Sequence, residues 1–239
     1  MSRNTVAAAA FNNARWCDAV CRAHGHPGEF VDALWLNRAE VPTFYPNIVT
    51  LTPEGEARQL EVISALELPG RWGVKDSFAT LELAPLGFEE LFSAQWIQFS
   101  SERMAPTTAS GARWVQVRDT AALAAWEVAW RGQQGSAPTH AVFRPGLLED
   151  VGVKIFAAYH EGTLVAGAIA YRAEGVVSLS NTFFAGSRAG VLRAELLGQL
   201  LAAFPGLPLV GYEHGDELAA WCALGFEPIG PLGVWLKKT

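Results

Sequence analysis

The stretch from residue 207 to 237 constrains the fold of this 239-residue chain more tightly than any other. An apolar strand at 209–212 leads to Asp216, which can cap a helix whose apolar residues Leu218, Trp221 and Cys222 fall at three- and four-residue spacing. Gly225 then supplies the left-handed stop that residues with a Cβ resist, and Phe226 opens a closing strand that runs to Lys237. Strand, helix, glycine stop and strand packed this closely point to a mixed α/β layer.

The second half of the chain reads the same way throughout. The pattern predicts a strand at 113–117 and a helix at 119–130 with Leu123, Trp126 and Trp130 on one side, then a Gly-, Gln-, Ser- and Pro-rich loop at 132–138. Strands at 153–159 and 164–171 flank His160-Glu161-Gly162-Thr163, a hairpin signal, and residues 176–184 form a third strand. A long helix at 187–204 sets Leu192, Leu196 and Leu200 four residues apart, with Leu197 and Leu201 beside them, and Pro205-Gly206 ends it.

This order of elements over residues 113–239 resembles the domain of the GNAT N-acyltransferases. The resemblance implies an α/β fold with a mixed, mostly antiparallel sheet flanked by helices, and transfer of an acetyl group from acetyl-CoA, or a related acyl group from its thioester, to an amine. The first half carries an echo of the second. Leu86-Gly87-Phe88-Glu89 recurs as Leu224-Gly225-Phe226-Glu227, an offset of 138 (225 minus 87), and Asp76 precedes Phe88 by the same 12 positions (88 minus 76, 226 minus 214) that separate His214 from Phe226. Residues 1–112 are therefore read as a truncated, diverged second copy within a smaller α/β half, as in tandem members of the family. An unrelated α/β domain is the alternative.

In the resembled family the thioester cosubstrate lies in a wedge where two main strands splay apart, and its pyrophosphate rests on the loop entering the long helix. Exposed N–H groups and the positive end of a helix dipole suit an anion there. The matching positions are Phe183, Phe184, Ala185, Ser187, Arg188, Ala189, Gly190, Val191 and Leu192. The family pattern is Arg or Gln, two residues, Gly, one residue, then Gly or Ala. Aligned on Leu196-Leu197, Arg188 leads but Val191 and Arg193 stand in the glycine slots; shifted by one, Ser187 leads and Gly190 recovers one slot. Glycine matters there because a backbone without Cβ can approach phosphates. Gly186 and Gly190 could instead only shape a turn, with Ser187 as its cap.

A second departure concerns the acid. Where many members place a Tyr to protonate the departing thiolate, this chain has Trp221, whose indole N–H cannot deliver a proton as a phenol does. Water or backbone dipoles would then take that part. The base that relieves the amine of its proton is expected at Glu213 or His214, at the exit of the 209–212 strand, directly or through water. Ser180, Asn181 and Tyr212 are the expected contacts to the substrate. Each of these polar residues also has a plainer reading, as a solvated loop or a half-wet strand edge.

Charge and cysteine content narrow the rest. A formal charge of −6 and no basic run argue against nucleic acid as a partner and are compatible with a small-molecule or peptide amine. Three cysteines, with Cys17 and Cys21 four apart on one helix face, fit buried thiols in a reducing compartment better than a metal site or disulfides, so no metal is expected. No leader or membrane span is read, which gives a cytoplasmic expectation and no membrane partner, with a homodimer left open. The nine tryptophans could line a groove, but their apolar-periodic settings favour packing between layers. The competing reading of function is a catalytically degenerate GNAT-like protein that binds a ligand or partner.

Overall fold

The computed structural model describes residues 2–68, 70–99, 109–134 and 140–238. The first half runs α1 (Ser2–Ala23), β1 (Glu29–Val31), β2 (Leu34–Leu36), β3 (Ile48–Thr50), α2 (Glu56–Ser64), β4 (Gly73–Asp76), a 3-10 turn (Ala84–Leu86) and β5 (Phe88–Phe99). After β6 (Arg113–Val117), the second half runs α3 (Thr120–Gln134), a 3-10 turn (Pro145–Glu149), β7 (Val153–His160), β8 (Thr163–Ala173), β9 (Val176–Phe184), a 3-10 turn (Gly186–Arg188), α4 (Ala189–Ala203), β10 (Leu209–Glu213), α5 (Gly215–Ala223) and β11 (Glu227–Lys237). Leaving β6 and the short turns aside, both halves give a helix, three strands, a helix, a strand, a turn or helix, and a long strand.

All the described strands join one mixed α/β sheet, in the order β1-β2-β3-β4-β11-β5-β10-β9-β8-β7-β6. Each long closing strand has crossed to the middle, where β5 and β11 pair antiparallel. The pairing is self-complementary: Glu227 faces Gln98 and Leu236 faces Glu89, two rungs interchanged by the same offset of 138 (98 plus 138, 227 minus 138). β5 thus separates β10 from β11, and the two halves share one sheet.

Helices cover both faces. α1 and α3 pack one face around Trp16, Trp126 and Trp130, while α4 and α5 pack the other around Leu196, Leu200 and Trp221, with α2 extending that second layer. The alternation of Leu209 and Val210 into opposite clusters shows the strand period that makes this possible. Asn12 of α1 stitches the halves together, its amide donating to the carbonyls of Tyr171 and Ala173 at 3.0 Å on the far hairpin. Trp16, Trp35, Trp96, Trp126 and Trp221 are fully buried, the packing use the sequence favours. Cys17 and Cys21 are buried too, and burial pushes their thiols up to about 11 and about 12, so both stay neutral. No helix among the described residues is long and apolar enough to cross a membrane.

Several boundaries differ from the sequence reading, each for a local reason. α3 continues through Gly132 to Gln134, and residues 135–138 of the expected loop lie outside the described residues. Asp119 caps it, its carboxylate accepting the Ala122 N–H at 2.9 Å. α4 starts at Ala189, after the Gly186–Arg188 turn, and Ser187 does not cap it. In α5 the cap position belongs to His214, while Asp216 lies in the first turn with Glu217, where negative charge favours the helix dipole. Gly225 (φ 97°) and Gly87 (φ 80°) are both left-handed stops, as the echo requires. What precedes Gly87 is only a 3-10 turn, because Asp76 draws the Leu81 and Phe78 N–H groups to its own carboxylate and Pro85 donates none. Glu161 and Gly162, both at positive φ, close the β7–β8 hairpin as expected.

Candidate active site

The site forms where β9 and β10 part. They run parallel with only two paired positions, Leu209 with Val177 and Val210 with Ser178. β10 stays in the sheet because β5 holds it over its full length, from Leu209 to Glu213. β9 bends away at a bulge: its register with β8 jumps between Ser180 and Phe183, leaving Asn181 and Thr182 without partners on that strand. Asn181 sits at φ 52°, a left-handed conformation that Asn accepts better than most side chains.

A cavity of about 920 Å³ opens into this gap and extends beneath the loop of residues 39–46 to β4 and α1. Of the residues the sequence singled out, Ser180, Asn181, Phe183, Phe184, Ala189, Tyr212, Glu213 and His214 line it. Ser187, Arg188 and Gly190 are exposed at the start of α4, with Ala185 and Val191 half-buried beside them. Leu192 faces away, packed in the core on Ala158 and Ala166, so its side chain does not belong to the site. Ser180 Oγ and Asn181 Oδ1 are buried without a hydrogen-bond partner. Buried polar atoms in folded proteins are nearly always paired, so this pair marks a place where a ligand can supply the partner.

Glu213 has the tuned acidity a base needs. Burial pushes its carboxyl up to about 7, repulsion from Glu217 adds to this, and Arg193 pulls it partly back. His214 stacks on Phe92 at 5.1 Å between ring centres. Trp221, in the place of the expected acid, is completely buried against Phe226 and Phe184, which makes it a packing residue.

Arg193 departs furthest from the expected wedge. Its guanidinium lies 4.6 Å from the Phe184 ring centre and 5.4 Å from that of Trp221, and it donates to both Glu217 carboxylate oxygens at 2.9 and 2.7 Å. It is 5% exposed, and its Nε has no hydrogen-bond partner. The side chain in a glycine slot therefore ties α4 to α5 across the wedge. The entrance of α4 remains approachable, since a Cβ added at Gly190 would touch nothing within 4 Å. The helix start is thus open to solvent, and the wedge behind it is narrowed by the Arg193–Glu217 pair.

Sequence reasoning missed the far end of the cavity. Lys75 of β4, Asn13 of α1 and Tyr45 of the 39–46 loop line it. The only local signal was a pair of charged residues, Lys75 and Asp76, closing the short run Gly73-Val-Lys-Asp76.

No protein-family model matches the chain, and no curated protein matches it. Solved structures do. A GCN5-related N-acetyltransferase from Kribbella flavida is 16% identical with a TM-score of 0.60, the match covering 95% of each chain. An acetyltransferase from the GNAT family of Colwellia psychrerythraea is 18% identical over 91% of this chain and 87% of that one, with a TM-score of 0.53. A tandem GNAT protein from the clavulanic acid biosynthesis pathway is 13% identical over 85% of this chain and 81% of its own, also with a TM-score of 0.53. At such identities the likeness speaks for architecture alone, and it agrees with the mixed sheet flanked by helices: the chain has the fold of the GCN5-related N-acetyltransferases.

Proposed function

We propose that the protein transfers an acyl group, acetyl in the simplest case, from a coenzyme A thioester to the amine of a small molecule or peptide, with Glu213 as the base. The observation that carries this reading is a half-buried carboxyl, pushed up to about 7 by desolvation, at the mouth of the β9–β10 gap, in a fold whose solved members include acetyltransferases. An amine reaches neutral solution as an ammonium, and Glu213 takes the proton it must shed. The nitrogen then attacks the thioester carbonyl; a C–N bond forms, the C–S bond breaks, and water protonates the thiolate, since Trp221 cannot. Ser180 and Asn181 orient the acceptor beside Tyr212 and His214. Residues 183–191 receive the donor, its phosphates against the start of α4. The three free cysteines fit a reducing cytoplasm. Residues 1–112 are read as a diverged copy of 113–239, on the strength of the repeated element order and the symmetric β5–β11 pairing.

The Arg193–Glu217 pair favours the second reading, a protein that keeps the fold and binds a ligand without transfer. Thermal unfolding with acetyl-CoA separates the two. Transfer requires a melting temperature that climbs with the logarithm of acetyl-CoA concentration, and a larger climb in Arg193→Gly, which clears the wedge. A wild-type protein that shows no shift at millimolar acetyl-CoA, with Arg193→Gly equally unresponsive, would leave only the binding reading.

A further inference from the structure

The far end of the cavity holds a cation without an anion. Lys75 is 4% exposed, and its Nζ donates to Asn13 Oδ1 and to the Tyr212 hydroxyl, both at 2.9 Å, while lying 4.3 Å from the Tyr212 ring centre. Those acceptors are neutral and engage two of its three N–H groups. No carboxylate among the described residues forms an ion pair with it. The neighbouring groups that could ionise do not help, because burial keeps both the Cys17 thiol and the Tyr45 phenol protonated.

Tyr45 adds an independent observation. Its hydroxyl is buried and has no hydrogen-bond partner; Trp16 lies beside it without meeting hydrogen-bond geometry. A buried ammonium without a carboxylate partner and a buried hydroxyl without a hydrogen-bond partner line one cavity. Each is costly alone, and a carboxylate is a group that can accept from either.

Phe44, Leu91 and Trp130 give the same cavity an apolar and aromatic part beside its polar lining. Phe44 stands over the mouth, half exposed, at φ 75° and edge-on to Trp130 at 5.6 Å. A bulky residue held in that backbone region is a strained feature of the sort found at ligand clamps. Leu91, also more than half exposed, flanks the opening.

We propose that the acceptor is an amino-acid-like molecule whose carboxylate binds Lys75 and Tyr45, whose apolar or aromatic body lies against Phe44 and Trp130, and whose amine points to Glu213. The amine end rests on the acyl-transfer reading; the carboxylate end does not. Binding to the full chain without any thioester therefore tests it separately, by calorimetry with three probes: L-phenylalanine, 3-phenylpropionate, which lacks the amine, and 2-phenylethylamine, which lacks the carboxylate.

Both carboxylates are expected to bind, with 2-phenylethylamine about tenfold or more weaker than L-phenylalanine, the worth of one charge-assisted pair. Lys75→Met should weaken both carboxylates about tenfold or more and leave the amine probe no weaker. Tyr45→Phe keeps the ring and should weaken the carboxylates by about three- to tenfold, and it carries the test if Lys75→Met does not fold. The proposal is overturned if neither carboxylate binds at 10 mM, if 2-phenylethylamine binds as tightly as L-phenylalanine, or if folded variants of both residues bind L-phenylalanine as the wild type does. A protein that binds these carboxylates but never responds to acetyl-CoA would lose the transfer reading and keep this site.

Discussion

Among the described residues there are two parallel strand junctions, one in each half, and only one of them opens. β3 and β4 pair at Ile48 with Val74 and Val49 with Lys75, just as β9 and β10 pair at two positions. Beyond the paired residues the first junction is sealed by side chains: the Thr50 hydroxyl reaches Asp76 at 3.3 Å and accepts the Ser77 N–H at 2.7 Å, while Asp76 accepts from Leu81 at 2.8 Å. At the second, β9 bulges, β10 runs on beside β5, and the gap is lined by Ser180, Asn181 and Glu213, with Ser180 Oγ and Asn181 Oδ1 lacking such partners. The same supersecondary unit is thus closed where Thr50 and Asp76 satisfy the backbone beyond it, with Ser77 Oγ alone left over, and is a candidate site where the strands part around unpartnered polar groups.

The hardest blow to that comparison is Glu213→Gln. If the open junction is catalytic, transfer should fall by roughly 10²- to 10⁴-fold. The wild-type rate should rise with pH through about 7 as the carboxylate forms, and the variant should lose that limb. Stability moves the other way. The folded value lies above the ordinary 4.5, so between about 4.5 and about 7 the unfolded chain ionises first and the protein loses stability as pH rises, levelling off above 7. Glu213→Gln removes the loss, a gain on the order of 3 kcal/mol at pH 8. A variant that unfolds in urea as the wild type does at pH 8 would mean that Glu213 is solvated.

How much of this was legible in the sequence divides along the same line. The second half announces itself because its elements are long enough to show a period and are punctuated by Gly162, Pro205, Gly206 and Gly225. β1 to β4 are three or four residues long, too short for any period, and the sequence does not say which neighbour a strand will take. The exchange of β5 and β11 was therefore invisible, although the Leu-Gly-Phe-Glu echo marked both strands. Glu213 and His214 could be singled out because they end an apolar strand. Lys75 and Tyr45 could not, because Lys75 meets Tyr212 across 137 residues and only the shared sheet brings them together. Arg193 was conspicuous as a misfit in a glycine slot, yet nothing local showed that it would stack on Phe184 and Trp221.

Asp76→Ala attacks the sealed junction. It removes the acceptor of two backbone N–H groups and the partner of Thr50 at a site with no access to water. The cost should be about 2–4 kcal/mol in urea unfolding. Ser180→Ala, at the open junction, deletes a hydroxyl that bonds to nothing in the protein and should cost less than about 0.5 kcal/mol. Equal losses from the two substitutions would erase the distinction between seam and site.

The finest test compares two left-handed residues, Ala79 beside the sealed junction (φ 51°) and Asn181 at the open one (φ 52°). Alanine gains nothing from that conformation, so Ala79→Gly should stabilise by about 1 kcal/mol. Asn tolerates it, and Asn181→Gly should stabilise by only about 0.5 kcal/mol. The difference between the sites should appear in a second measurement. If the amide of Asn181 is held at the bulge to meet the acceptor, Asn181→Gly raises the melting temperature and weakens acceptor binding together, whereas Ala79→Gly raises the melting temperature alone. A glycine at 181 that stabilises without any loss of binding would make the bulge a feature of strand geometry, and would leave recognition to Glu213 and the groups across the cavity.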